Sequence, residues 1–191
     1  MAVYRTALAA LWLIFIVVWV VAAFSAKKNV GVRSWSREAG LRFIIFALVL
    51  MLLRIPILRN AVQHGRAHLV TVDPHLALLG LILCALGVAL AIWARVYLGS
   101  NWGLPMSRKA QPELVTTGPY AFVRHPIYSG LLLALLGSAL AESYVWLIPL
   151  VVAGGYFLYS ARAEERLMTE TFPDQYPVYQ KHTKMLVPFI L

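Results

Sequence analysis

The chain has 191 residues, of which 61% are hydrophobic and only 13% charged, with a net charge of +9. An ordinary soluble domain carries roughly 25% charged residues, and one this short has too little interior to hide so much apolar surface, so the composition excludes a soluble fold and allows a single domain. The positive charge is not that of a nucleic-acid binder, because Lys and Arg gather at the ends of apolar runs, where they meet anionic headgroups and set topology.

A bilayer core of about 30 Å takes roughly 20 residues of helix. The first such run is Ala7 to Phe24, which carries Trp12 and Trp19 and is followed by Lys27-Lys28 as a stop. It lacks a well-formed small-residue cleavage site and so is not read as a signal peptide. The second run is Leu41 to Leu58, kinked at Pro56, and the third is His75 to Leu98. Within the third, the lone Cys84 reads as a small buried hydrophobe, and Gly80 and Gly87, one heptad apart, read as points of close helix approach. Arg42, Arg54 and Arg95 lie near span ends and are expected to snorkel to the headgroups. His64 and His68 have i, i+4 spacing, but only Asp73 or His75 stands near enough to be a third ligand and the segment after Arg59 reads equally as a loop, so no metal site is expected. Ile127 to Ala141 is a short fourth run. Glu142-Ser143 then makes a tight turn into Tyr144 to Ala161, giving an antiparallel helical hairpin. The expected fold is an all-α integral membrane protein of about five spans, with residues 1–98 as a three-span scaffold and 99–191 as the working part.

Five spans put the loop 25–40, the loop 99–126 and the C-terminal tail on one side. Thirteen of the 17 basic residues fall on that side and four on the other. The positive-inside rule then places the N-terminus outside and the loop and tail in the cytoplasm, in the inner membrane of a bacterium or the endoplasmic reticulum of a eukaryote.

Polar chemistry concentrates in the last 90 or so residues. Gly118-Pro119 marks a turn, and Pro126 favours an extended residue before it, which holds His125 out of the helix that follows. A helix opening on Arg124-His125-Pro126 presents free backbone N–H groups, a natural site for a carboxylate. Tyr120 and Tyr128 offer aromatic faces for an adenine or a sulfonium cation. Glu164 and Glu165, directly after an apolar span, are not needed for topology and call for partners; Arg124, His125, Arg162 or the positive centre of a ligand are the candidates. Phe172, Tyr176 and Tyr179 share one helical face. Pro177 interrupts that helix, so the tail is expected as a broken segment on the membrane surface, able to cover the loop 99–126. Met185 to Leu191 is apolar and is expected to re-enter the interface.

The run Leu114-Val-Thr-Thr-Gly-Pro-Tyr120-Ala-Phe-Val-Arg124-His-Pro-Ile-Tyr128-Ser-Gly130, with Glu164-Glu165 and Phe172-Pro-Asp-Gln-Tyr176-Pro-Val-Tyr179, strongly resembles the isoprenylcysteine carboxyl methyltransferase family, whose pattern related phospholipid methyltransferases share. The resemblance covers roughly residues 99–191. It implies an S-adenosyl-L-methionine-dependent methyltransferase whose cofactor lies among the loop, the hairpin and the tail, contacted by Glu113, Leu114, Val115, Tyr120, His125, Pro126, Ile127, Tyr128 and Glu164. It further implies an arginine and a glutamate at the exit of the last span for activity, with Arg162 and Glu165 the nearest matches; alignment backward from Phe172-Pro173 puts Ser160 where some members have that arginine. The acceptor implied is lipid-like, entering from the bilayer, most directly the carboxylate of a prenylcysteine or a similar isoprenoid acid. Neither nucleic acid nor metal is expected as a partner.

Three alternatives remain open. A phospholipid or amine N-methyltransferase would need a base, for which His125, Glu164 or Glu165 are available. A sterol-type reductase using NADPH shares the architecture but favours an Asn between the His and Tyr, where this chain has Pro126-Ile127. A non-enzymatic membrane interaction protein is the third.

Overall fold

The computed structural model describes residues 2–23, 29–30, 73–99, 108–109 and 113–188. The first helix, α1 (Ala2–Ala23), and the second, α2 (Pro74–Leu98), run parallel. Near their starts the Tyr4 hydroxyl donates to Pro74 O. Near their ends Arg95, almost fully buried, donates through Nη1 to Gly99 O (2.9 Å) and through Nη2 to Ala22 O. The last carbonyls of a helix have no partner within it, so one guanidinium serves both helix ends. Arg95 therefore lies inside the bundle and does not snorkel outward as its place near a span end implied. Asp73 caps α2 at its start, accepting from His75 N at 2.8 Å, and Pro74 follows at the first helical position, where its missing N–H costs nothing.

Helix α3 (Pro126–Ala141) packs antiparallel along α2 in the most extensive helix contact among the described residues. The contact is carried by two pairs of glycines at heptad spacing. A Cβ on Gly130 would stand 2.6 Å from Gly87 O, one on Gly80 would stand 2.6 Å from Gly137 O, and one on Gly137 would overlap the backbone of Cys84. The backbones touch because no side chain intervenes, as membrane helices without a hydrophobic drive between them require. The packing expected of Gly80 and Gly87 is present, and Gly130 and Gly137 are its other half.

A 3-10 turn (Tyr144–Trp146) joins α3 to α4 (Leu147–Thr171). The apolar part of α4 ends near Ala161 as the sequence indicates, but the helix continues ten residues beyond and stops where Pro173 disfavours helix in the residue before it. Helix α5 (Tyr176–His182) follows, with Pro177 in its first turn, so that proline opens the helix instead of interrupting it. α1, α2 and the Tyr144–Thr171 segment are long and apolar enough to cross a membrane, and α3 is a shorter apolar helix. The expected span at 41–58 and the histidine pair at 64 and 68 lie outside the described residues.

One end of this bundle gathers the polar segments. Two short strands, β1 (Asn29–Val30) and β2 (Arg108–Lys109), pair antiparallel, and Val123 forms a parallel bridge with Lys184. The two loops therefore meet each other, and the tail meets the segment that precedes α3.

Candidate functional site

The site is built where Arg124-His125-Pro126, the polar third of α4 and the tail converge. Gly118 opens a 3-10 turn over Gly118–Ala121 with φ +61, and a Cβ there would overlap the Tyr97 ring. The positive φ favours glycine, and any other residue would also have to displace the Tyr97 ring. Beside it, the Tyr97 hydroxyl meets Thr117 Oγ1 at 2.9 Å. His125 is the residue before α3 and lies outside helical backbone with φ −125 and ψ 60, as the following proline dictates.

From α3 and α4 comes an aromatic stack. The His125 and Tyr128 rings lie 5.5 Å apart and 8° from parallel, and Tyr128 stacks on Phe157 of α4 at 4.5 Å and 6°. The Tyr128 hydroxyl donates to Glu164 Oε1 at 2.5 Å, and His125 Nδ1 lies 3.6 Å from Glu164 Oε2. Phe157, Ser160, Ala161, Glu164 and Glu165 recur at helical spacing, which turns one stripe of α4 toward α3.

The adjacent acid is held differently. Glu165 Oε1 accepts from Arg124 Nε at 2.6 Å, and the two side chains are each only 11% exposed, against 26% for Glu164. Glu165 Oε2 accepts from Gln180 Nε2 at 3.1 Å. His125 Nε2 is buried 3.4 Å from Glu165 Oε1 but off hydrogen-bond alignment. The same Arg124 donates through Nη1 to Gln180 O at 3.3 Å and to Thr183 O. The tail is thus pinned by the arginine of the Arg-His-Pro run.

The remaining residues singled out in the sequence fall around this centre. Pro126 is fully buried, and Ile127 packs with Tyr128, Ala161 and Leu186. Tyr120 is buried and turns no open aromatic face outward; its hydroxyl donates to Ala94 O at 3.4 Å and its carbonyl accepts from Tyr179 at 2.5 Å. Burial pushes the Tyr179 hydroxyl up to about 12, with the neighbouring Arg124 and Thr183 working against it, so it stays a donor at neutral pH. Glu113 is exposed and Leu114 and Val115 are half-buried in a stretch without regular structure. Among the described residues no hydrogen bond takes up the backbone of residues 114–116. Arg162 is exposed and pairs with none of the described residues. Two residues apart on one helix, Arg162 and Glu164 point to different sides. Ser160 is fully buried with its hydroxyl unpartnered among the described residues. No group of three or more His, Cys, Asp or Glu among the described residues is placed to hold a metal ion.

Phe157, Gln180 and Thr183 are functional candidates that the motifs did not single out. Phe157 was within reach, since it stands one turn before Ala161 and two before Glu164. The roles of Gln180 and Thr183 run partly through backbone carbonyls, which leave no mark on residue type.

Comparison with known proteins bears on what this arrangement does. The family model for phospholipid methyltransferase matches residues 76–175, just over half of the chain. The chain is 31% identical over 128 residues to the cobalt-zinc-cadmium resistance protein CzcN of Cupriavidus metallidurans, covering 65% of this chain and 55% of that protein. It is 30% identical over 116 residues to protein-S-isoprenylcysteine O-methyltransferase of Tribolium castaneum, covering 59% and 41%. Among solved structures it is similar to the eukaryotic intramembrane Ras methyltransferase, isoprenylcysteine carboxyl methyltransferase, with a TM-score of 0.54 and 28% identity over 60% of this chain and 43% of that one. The chain spans about half the length of the curated relatives it matches.

Proposed function

The chain belongs to the phospholipid methyltransferase family and is an integral membrane protein, and on that footing we propose that it transfers a methyl group from S-adenosyl-L-methionine to a lipid-like acceptor at the cytoplasmic membrane face. The observation that carries this reading is the stack of His125, Tyr128 and Phe157 ending at Glu164, which Tyr128 holds at 2.5 Å. Aromatic faces attract a cation and accept an adenine, and a carboxylate beside them answers an ammonium or a sulfonium. The backbone of 114–116 offers peptide groups for the polar ends of the same molecule. The residue types present fit the cofactor, and we assign its contacts to Glu113, Leu114, Val115, Tyr120, His125, Pro126, Ile127, Tyr128 and Glu164.

When bound, that group supplies an electrophilic methyl on a sulfonium, open to displacement in line. Positioning then dominates what the protein contributes. A carboxylate acceptor is already ionised near neutral pH and needs no base. It needs a cation to orient it, and Arg162, exposed at the polar end of α4, is the one we assign. Glu165, the acid expected to work beside Arg162, has both carboxylate oxygens engaged, by Arg124 and by Gln180, so we assign it to holding the site together while Arg162 serves the acceptor. The acceptor we favour is the carboxylate of a prenylcysteine or a similar isoprenoid acid. An amine acceptor is the second reading; it would need a base, and His125, Glu164 and Glu165 are the titratable groups gathered at the site.

Calorimetry with S-adenosylhomocysteine on the detergent-solubilised protein tests the class. Binding on the order of micromolar is expected, weakened by about 1–3 kcal/mol in His125→Ala and in Glu164→Gln, the worth of a buried polar partner. NADPH binding with no S-adenosylhomocysteine binding would overturn the class. Methyl transfer to a prenylated cysteine bearing a free carboxylate, set against a phosphatidylethanolamine amine, separates the two acceptors.

A further inference from the structure

We propose that Arg124 is a positioning residue that fastens the C-terminal segment onto the site, acting through its pair with Glu165. The proposal rests on the reading of the site given above and adds what holds that site together. The starting point is the short helix α5. Seven residues make fewer than two turns, and the last carbonyls of such a helix have no partners of their own. Here side chains supply partners to two of the last four, Tyr179 and Gln180, and to Val178 and Thr183 on either side of them. Val178 O meets His182 Nδ1 at 2.8 Å, Tyr179 O accepts from Thr183 Oγ1 at 2.8 Å, and Gln180 O and Thr183 O both accept from Arg124. A cation at a helix C-terminus also meets the favourable end of the helix dipole.

The chain beyond is held in the same way. Lys184 O accepts from Arg124 N at 2.8 Å, Met185 O from His125 N at 3.1 Å, and Leu186 O from Ser129 Oγ at 2.5 Å. Side chain and backbone of Arg124 thus grip both ends of the Gln180–Lys184 stretch, and the backbone of His125 takes the next carbonyl. His125 is thereby fixed from the tail side while its ring faces Tyr128 and Glu164.

A guanidinium buried to this degree needs a counter-charge, since desolvation otherwise outweighs its hydrogen bonds. Glu165 is that counter-charge. It is itself fixed to the tail through Gln180, so the pair ties α4 to α5 and to the Arg124-His125 segment, and breaking it removes the charged part of that link. Lysine does not replace arginine here, because an ammonium cannot span a carboxylate and two carbonyls in fixed directions.

The test uses the full chain in detergent and compares Arg124→Gln, Arg124→Lys and the exchanged pair Arg124→Glu with Glu165→Arg. Limited trypsin digestion is read by mass at Lys181 and Lys184 in the tail, with Arg166 as the internal control. Arg124→Gln is expected to speed cleavage at Lys181 and Lys184 by about tenfold or more, the worth of one or two charge-assisted hydrogen bonds. KM for S-adenosyl-L-methionine should rise by a similar factor while kcat changes little. Arg124→Lys should fall between Gln and wild type, and it carries the test if the Gln variant does not accumulate in membranes. The exchanged pair should leave the tail labile, because a glutamate at 124 cannot donate to the carbonyls of Gln180 and Thr183. Wild-type cleavage and KM in Arg124→Gln would overturn the proposal, as would a loosened tail with unchanged KM or protection restored by the exchanged pair. If wild type binds no S-adenosylhomocysteine, the methyltransferase reading fails, while the digestion still decides whether Arg124 holds the tail.

Discussion

Arginine 124 and arginine 162 show how residues of one type part company in the folded chain. Both were candidate partners for Glu164 and Glu165, and the sequence alone did not rank them in that role. The structure buries Arg124 on Glu165 and leaves Arg162 exposed. A guanidinium already engaged on a carboxylate and two carbonyls has little left to offer a substrate. Arg162→Ala should accordingly leave S-adenosylhomocysteine affinity within about twofold of wild type and lower kcat by at least about 100-fold, the pattern of a group that serves the acceptor alone. Ser160→Ala is the companion measurement. Its hydroxyl is buried and unpartnered among the described residues, so its removal should cost neither stability nor turnover. If Ser160→Ala abolished methyl transfer while Arg162→Ala retained it, the acceptor would lie on the other side of α4. Much of this centre was legible in residue types: His125, Tyr128 and Glu164 do come together. The engagement of Glu165 by Gln180 was not, because a neutral amide far along the chain carries no signal of the charge it will meet.

At the scale of elements, local rules located the helices and failed chiefly at their ends. Apolar runs mark where a chain enters hydrocarbon, and they say nothing of how far a helix continues into water. That is why α4 runs on to Thr171 beyond its apolar limit near Ala161. Pro177 misled for a related reason: a proline stops a helix from inside but starts one from its first turn, and spacing alone does not say which turn it occupies. The heptad of Gly80 and Gly87 was informative, and the matching heptad of Gly130 and Gly137 stood in the sequence unread. Since a Cβ on Gly137 has no room against Cys84 while one on Gly155 meets open space, the two alanine variants should diverge. Gly137→Ala should destabilise by about 1–3 kcal/mol through overpacking. Gly155→Ala should be neutral or stabilising by up to about 1 kcal/mol through helix propensity. Thermal unfolding in detergent compares them; equal midpoints would mean that the α2–α3 contact yields more readily than a backbone-on-backbone approach allows.

The molecule as a whole is organised by its two unlike ends. At one, the Arg5–Glu142 pair (3.4 Å), the Trp146 indole on Glu142 (3.0 Å) and the parallel rings of Trp12 and Trp146 fasten α1 to the hairpin turn. At the other, β1 meets β2 and the tail meets Val123, so the two loops and the tail lie together. That meeting supports the charge count that put loop 25–40, loop 99–126 and the tail on one side, and the excess of basic residues there argues for the cytoplasm. Cysteines introduced at Asn29 and at Glu170 should both react with an impermeant maleimide only in inverted vesicles, with little background from the buried Cys84. Reaction of the two sites from opposite faces would break the five-span topology. The span that hydropathy predicts at 41–58 lies outside the described residues.

The manner in which the tail is held has a consequence for how such a chain can drift over generations. Its docking runs largely through main-chain oxygens, at Gln180, Thr183, Lys184, Met185 and Leu186. Every amino acid carries that oxygen, so exposed positions such as Lys181, Lys184 and Val187 are free to vary in kind. What the contact does register is spacing. Deleting one residue between Gln180 and Thr183 would move each later oxygen out of reach of its donor, and no choice of side chain at the neighbouring positions would bring it back. Selection on this segment should therefore tolerate replacement and punish insertion and loss.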